Sequence, residues 1–106
     1  MSLKYILKGH TPIICRDLLQ WAQWMETADR RVSKTMLGQT TVSTVFLGLD
    51  HSFGPSGTTP ILFETMVFGG PLSDDQRRYT TWDEAVQGHN EMVEACKHAQ
   101  TFGVGG

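Results

Sequence analysis

Asp50 and His51 stand side by side where a β-prone run meets a glycine- and proline-rich segment, Asp50–Pro60. An imidazole titrates near neutrality, so His51 could serve as a general base or metal ligand, with Asp50 holding a cation or hydroxyl. Neighbours on an extended backbone point apart, and an aspartate before a loop commonly bonds the backbone two residues on. Turn formation is therefore the competing reading of this pair. Glu64 is the second candidate, because a carboxylate within the apolar run Ile61–Phe68 must be paired, protonated or turned to solvent. Pairing with Arg30 or Arg31 is the structural expectation; in a cavity its pKa would rise and acid/base work would follow. Two arginine pairs, Arg30-Arg31 and Arg77-Arg78, lie near Trp24, Tyr79 and Trp82 in the chain. Guanidinium and indole together can hold a planar anion by charge and stacking, whereas the alternative is solvated arginines paired with Asp74 and Asp75. The candidate ligand-binding set is Trp24, Arg30, Asp50, His51, Glu64 and Arg78.

Other chemistries find no pattern. The histidines His10, His51, His89 and His98 form no HxH or HExxH unit, so no metal site is expected. His89 lies on the apolar stripe of a helical segment and reads as a hydrogen-bonded core residue. No serine occupies a GxSxG elbow, and Cys96 falls late in a helix, where the dipole disfavours a thiolate. The segment Gly54-Pro55-Ser56-Gly57-Thr58-Thr59 lacks the Gly-Lys-Ser/Thr ending of a phosphate loop and precedes a strand. No cofactor is expected.

These residues must be placed by one modest core. With 106 residues, 40% hydrophobic, the chain can bury roughly 65% of its extended surface, enough for a single domain without staples. Nine basic residues against eleven acidic give a net charge of −2, which argues against a duplex nucleic-acid binder. No run of 18 apolar residues and no export signal is seen, so a cytoplasmic protein without membrane contact is expected. Cys15 and Cys96 form no CxxC unit and read as reduced structural thiols.

Leu3–Lys8 alternates as a short strand and stops at Gly9. Asp17 with Gln20 resembles a capping box, and Leu18, Trp21, Ala22, Met25 and Ala28 recur at helical spacing, giving a helix over Leu18–Ala28. Arg31–Leu37 and Thr41–Leu49 flank Gly38-Gln39 as a hairpin, and Ile61–Phe68 supplies a further strand. Leu72–Tyr79 reads as a polar loop. Thr81-Trp82-Asp83-Glu84 caps a second helix whose stripe Trp82, Ala85, Val86, His89, Met92, Val93 and Cys96 runs to about Ala99. A flexible tail is expected from about residue 103. The fold class is therefore α+β, an antiparallel sheet of about four strands with two helices on one face, in the order β-α-β-β-β-α. Acids at the start of the last helix also argue against a double-stranded-RNA-binding domain, which presents basic residues there.

One strand is apolar on both sides, since Ile61, Phe63 and Val67 alternate with Leu62, Met66 and Phe68. Helices on one face leave the other uncovered, which predicts a homodimer or higher homo-oligomer packed sheet to sheet.

The stretches Trp21–Arg30, Val42–His51 and Leu62–Gly70 resemble those of small proteins encoded by tailed bacteriophages and prophages, and the similarity runs from Tyr5 to about Val93. The resemblance implies a setting, the infected bacterial cytoplasm, and no reaction. Within that setting the expected function is a non-enzymatic homo-oligomeric binding protein that sequesters a small anionic, nucleotide-type ligand or blocks a host protein. The alternatives are a small hydrolase or metal-assisted enzyme using Asp50, His51 and Glu64, with His89 as a further candidate, and a virion or assembly component.

Overall fold

A computed structural model of the chain describes residues 3–52 and 59–101, the last of these by its backbone alone. The expected flexible tail and the centre of the 50–60 loop lie outside the described residues. Eight elements follow in order: strands β1 (Tyr5–Lys8) and β2 (Thr11–Ile14), helix α1 (Leu18–Thr27), strands β3 (Arg31–Leu37), β4 (Thr40–Phe46), β5 (Phe63–Phe68) and β6 (Gln76–Tyr79), and helix α2 (Trp82–Thr101). The fold is α+β, with β3-β4-β5-β6 forming a four-stranded antiparallel meander and β1-β2 a separate hairpin.

Two strands depart from the sequence expectation. Thr11–Ile14 is β2 instead of loop, since Gly9 at φ +63° closes a tight turn and lets Ile13 and Ile14 pair with Ile6 and Tyr5. Pro12 is tolerated because it sits opposite Leu7 on a two-stranded edge. Gln76–Tyr79 is β6, although its polar residues carry no apolar alternation. Its partner β5 supplies the register instead, setting Arg78 opposite Glu64 and Tyr79 opposite Phe63.

Alternation along β4 and β5 divides the sheet into two faces. Val42, Thr44, Phe46, Phe63, Thr65 and Val67 are fully buried beneath α2, which packs across all four strands of the meander. A β-bulge at Arg31/Ser33 re-aims Val32 toward that core, while Arg31 remains opposite Val45. At the strand ends Tyr5, Leu62 and Ala85 join Phe46 and Phe63, with Leu7, Trp24, Tyr79 and Trp82 packed around them. Helix α1 runs beside β1 and lends Trp24 to this core, its indole meeting Phe46 edge to face at 5.7 Å. Asp17 caps α1, its Oδ1 accepting from Gln20 N. The hairpin reaches α2 through His10, stacked on Trp82 at 3.8 Å. Among the described residues, no helix is long and apolar enough to cross a membrane.

The core is partly polar. His89 is bonded at both ring nitrogens, Nε2 to Thr35 Oγ1 at 2.9 Å and Nδ1 to Thr44 Oγ1 at 2.8 Å. Thr44 in turn shares a hydrogen bond with Thr65. A neutral imidazole offers one donor and one acceptor, so the hydroxyls of Thr35 on β3 and Thr44 on β4 can satisfy it in either tautomer. Burial holds the His89 pKa below its ordinary value. The network pins α2 to three strands at once.

Candidate functional site

Opposite α2, the sheet presents a second face whose composition follows from strand register. Arg31, Val45, Glu64 and Arg78 form one cross-strand row; Lys34, Ser43, Met66 and Gln76 form the next; Met36, Thr41 and Phe68 form the last. Charge is therefore concentrated at one end and apolar surface at the other. Met36 is 69% exposed and Phe68 54%, although both occupy strands. Among the described residues no second element packs across this face as α2 does across the first.

The row at the charged end contains two of the sequence candidates. Arg78 Nε donates to Glu64 Oε2 at 2.9 Å, with the Glu64 side chain 16% exposed and that of Arg78 37%. Glu64 is thus paired, as its apolar surroundings demand, but with Arg78 in place of Arg30 or Arg31. The sequence reading missed this partner because it assigned β6 to a loop. Arg77, one residue earlier, points to the opposite side and bonds Glu91 of α2 at 2.9 Å, not Asp74 or Asp75. Arg31 completes the row, and its guanidinium has no hydrogen-bond or ion-pair partner among the described residues. The sequence named Arg31 as a possible partner of Glu64; the bulge places it on the same face, in the same cross-strand row, without an ion pair between them.

Trp24 and Arg30 converge elsewhere, on the end of β4. Trp24 packs against the Phe46 ring, and Arg30 Nη1 donates to Phe46 O at 3.2 Å while Arg30 O accepts from Phe46 N at 2.8 Å. These contacts anchor the chain between α1 and β3. Asp50 takes the turn role, its Oδ1 accepting from Ser52 N at 2.8 Å and Ile61 N at 3.0 Å. Partial burial alone would raise its carboxyl, but the bonds from Ser52 and Ile61 and the nearby His51 outweigh that and hold its pKa below the usual range. His51 N donates to Ile61 O at 2.9 Å, so the pair closes the neck of the loop between β4 and β5. Asp50 also lies close enough to Tyr5 to raise that phenol, after burial, which acts more strongly.

Among the described residues, no group of three or more His, Cys, Asp or Glu is placed to hold a metal ion. Leu62, expected to need cover along with Met66 and Phe68, is only 2% exposed because the strand proper begins at Phe63 and Leu62 packs into the core with Tyr5 and Phe46. Met66 is half-buried and Phe68 stays exposed, so the open face is smaller than expected but present.

A groove of about 380 Å³ also lies between β6 and α2, lined by Arg78, Tyr79, Thr80, Glu84, Gln87 and Gly88 among others. Its carboxylates are occupied: Glu84 Oε1 accepts from Thr80 N and Thr81 N, and Glu91 from Arg77 and Gln87. The Tyr79 hydroxyl is buried against Gly88 without a hydrogen-bond partner among the described residues, and a larger residue at position 88 would overlap the ring.

No protein-family model, curated protein or solved structure matches this chain, so its functional reading rests on the geometry above.

Proposed function

We propose that the protein is a non-enzymatic, homo-oligomeric binding protein that takes up a small anionic, nucleotide-type ligand, working in the infected bacterial cytoplasm that its phage-like stretches imply. The supporting observation is the open sheet face, which carries the Arg31-Val45-Glu64-Arg78 row at one end, exposed Met36 and Phe68 at the other, and half-buried Met66 between them. Apolar side chains exposed on a sheet favour association, gaining roughly 25 cal/mol for each Å² of apolar surface removed from water. Two faces brought together about a twofold axis also double the charged row. Glu64 offsets one arginine per subunit, so the joint surface retains excess positive charge from Arg31 and Arg78. Only Nε of Arg78 is engaged by Glu64. The remaining guanidinium donors suit the planar, forked recognition of phosphate oxygens.

Binding is preferred to catalysis because three of the candidate reactive side chains, Asp50, Glu64 and His89, are engaged in structure. Asp50 closes a turn, Glu64 neutralises Arg78, and His89 is enclosed by threonines.

Light scattering at two concentrations should give a species heavier than the 11.8 kDa chain. A clean monomer at both overturns the association. A panel of linear and cyclic nucleotides at millimolar concentration should raise the melting temperature, since a ligand at 100 times its Kd stabilises by about 2.7 kcal/mol. Arg78→Ala should abolish that rise; the absence of any rise with the unaltered protein overturns the ligand assignment.

A further inference from the structure

β6 is an outer strand of the meander, and α2 passes beside it, leaving the groove of about 380 Å³ between them. That volume is within the range that small ligands occupy. Alternation along β6 sends Arg77 and Tyr79 toward α2 and Arg78 to the other side. Arg77 reaches Glu91, and the Tyr79 ring lies against Gly88, one turn earlier on the helix. Glu84, a further turn back, accepts from the amides of Thr80 and Thr81. The groove is thus tied at both ends, with Tyr79 and Gly88 between the ties.

The lining separates charge from hydrogen-bonding capacity. Glu84 and Glu91 outweigh Arg78 there, so the interior repels a phosphate. Arg78 borders the open sheet face, where its Nε is spent on Glu64 and the remaining donors of its guanidinium are available. Inside, Gln87 donates Nε2 to Glu91 at 3.2 Å, and its carbonyl oxygen has no partner among the described residues. The buried Tyr79 hydroxyl likewise has none. An unpaired buried hydroxyl lowers stability, and phenylalanine would fill the same space without that loss. The hydroxyl therefore suits a partner from outside the chain. Beside it, Gln87 and Glu91 are exposed, and the Arg77–Glu91 pair, with side chains 48% and 53% exposed, holds them weakly.

We propose that this groove is the subsite for the uncharged half of the ligand, an amino-bearing nucleobase, while the phosphate stays at the rim on Arg78. The proposal rests on the nucleotide-type reading above and assigns the part of the ligand that is recognised. The Tyr79 hydroxyl donates to a ring nitrogen, and the Gln87 carbonyl oxygen accepts from the amine on the adjoining carbon. Adenine and cytosine present that acceptor and donor side by side. Hypoxanthine and uracil present a protonated ring nitrogen and an oxo group there, so both contacts would oppose like with like. Entry of the base displaces the exposed Gln87 and Glu91 side chains from over the hydroxyl, and the interior carboxylates keep the phosphate outside.

Calorimetric titration of the full chain tests this with two matched pairs, the 5′-monophosphates of adenosine and inosine and those of cytidine and uridine, together with ribose 5-phosphate. In at least one pair the amino member should bind about tenfold or more tightly than its oxo counterpart. Tyr79→Phe should reduce that ratio about fivefold, leave ribose 5-phosphate binding unchanged and raise the urea midpoint of the free protein. A purely structural hydroxyl would move the midpoint and not the ratio. Gln87→Ala, at an exposed helix position, should reduce the ratio as well, and Arg78→Ala should weaken every phosphate compound alike. Equal or reversed affinity within both pairs, or a ratio that either groove variant leaves unchanged, overturns the groove assignment while the ligand reading stands. A chain that binds none of the five compounds overturns both.

Discussion

Glu64 and Arg78 sit directly opposite one another on β5 and β6, joined Nε to Oε2 at 2.9 Å on the face that α2 leaves open. Partial exposure screens the pair, so a double-mutant cycle with Glu64→Gln and Arg78→Ala in dilute protein should give a coupling of about 1 kcal/mol or less. The same changes should alter ligand-induced stabilisation far more than they alter stability itself. A coupling of several kcal/mol would mean that the pair is chiefly a structural clamp.

The His89 network makes stability depend on acid in a particular window. Burial lowers the folded-state pKa below the unfolded value of about 6.5, so between the two the unfolded chain binds more protons. Stability is therefore fully present above about pH 6.5 and declines as pH falls below it. Urea titrations at stepped pH should show this slope, and His89→Gln should remove it while lowering stability at neutral pH. Asp50 acts at lower pH: its depressed carboxyl pKa contributes stability that is present above the unfolded value of about 3.9 and is lost as pH falls through the folded value.

Tyr79 carries a buried hydroxyl with no partner among the described residues, an arrangement that costs on the order of 1–3 kcal/mol. Tyr79→Phe is expected to raise stability by roughly 1 kcal/mol, measured by chemical denaturation. Gly88→Ala should do the opposite, since its Cβ would overlap the Tyr79 ring and hydroxyl, with an expected loss of about 1–3 kcal/mol. In a Tyr79→Ala background the sign should reverse, because alanine is then favoured over glycine in the helix by about 1 kcal/mol.

Phe68 is exposed at the apolar end of the open face and contributes little to the fold of one subunit. Phe68→Glu should leave thermal stability at low protein concentration within about 0.5 kcal/mol of the parent while shifting sheet-face association to much higher concentration. Sedimentation velocity across a dilution series reads both. A large loss of stability in the dilute monomer would place Phe68 in the core of a single subunit instead.

Local signals settled much of the architecture. Asp17 with Gln20, and Thr81 with Glu84, marked the helix starts because capping is a bond between residues three apart. Gly38-Gln39 between two β-prone runs marked the hairpin, and alternation in Ile61–Phe68 announced a sheet with an apolar surface on both sides. The turn role of Asp50 was equally legible, being a bond to the residue two on. Strand pairing was not. β6 has no apolar period of its own, and its identity follows from the edge that β5 offers; with it went the knowledge that Glu64 meets Arg78. The bulge that places Arg31 in the same row, and the core position of Leu62, likewise arise from contacts between segments distant in the chain. Periodicity and capping are short-range and are written in the order of residues, whereas register and the choice of partner depend on which backbone edges and surfaces remain unsatisfied after the elements have packed.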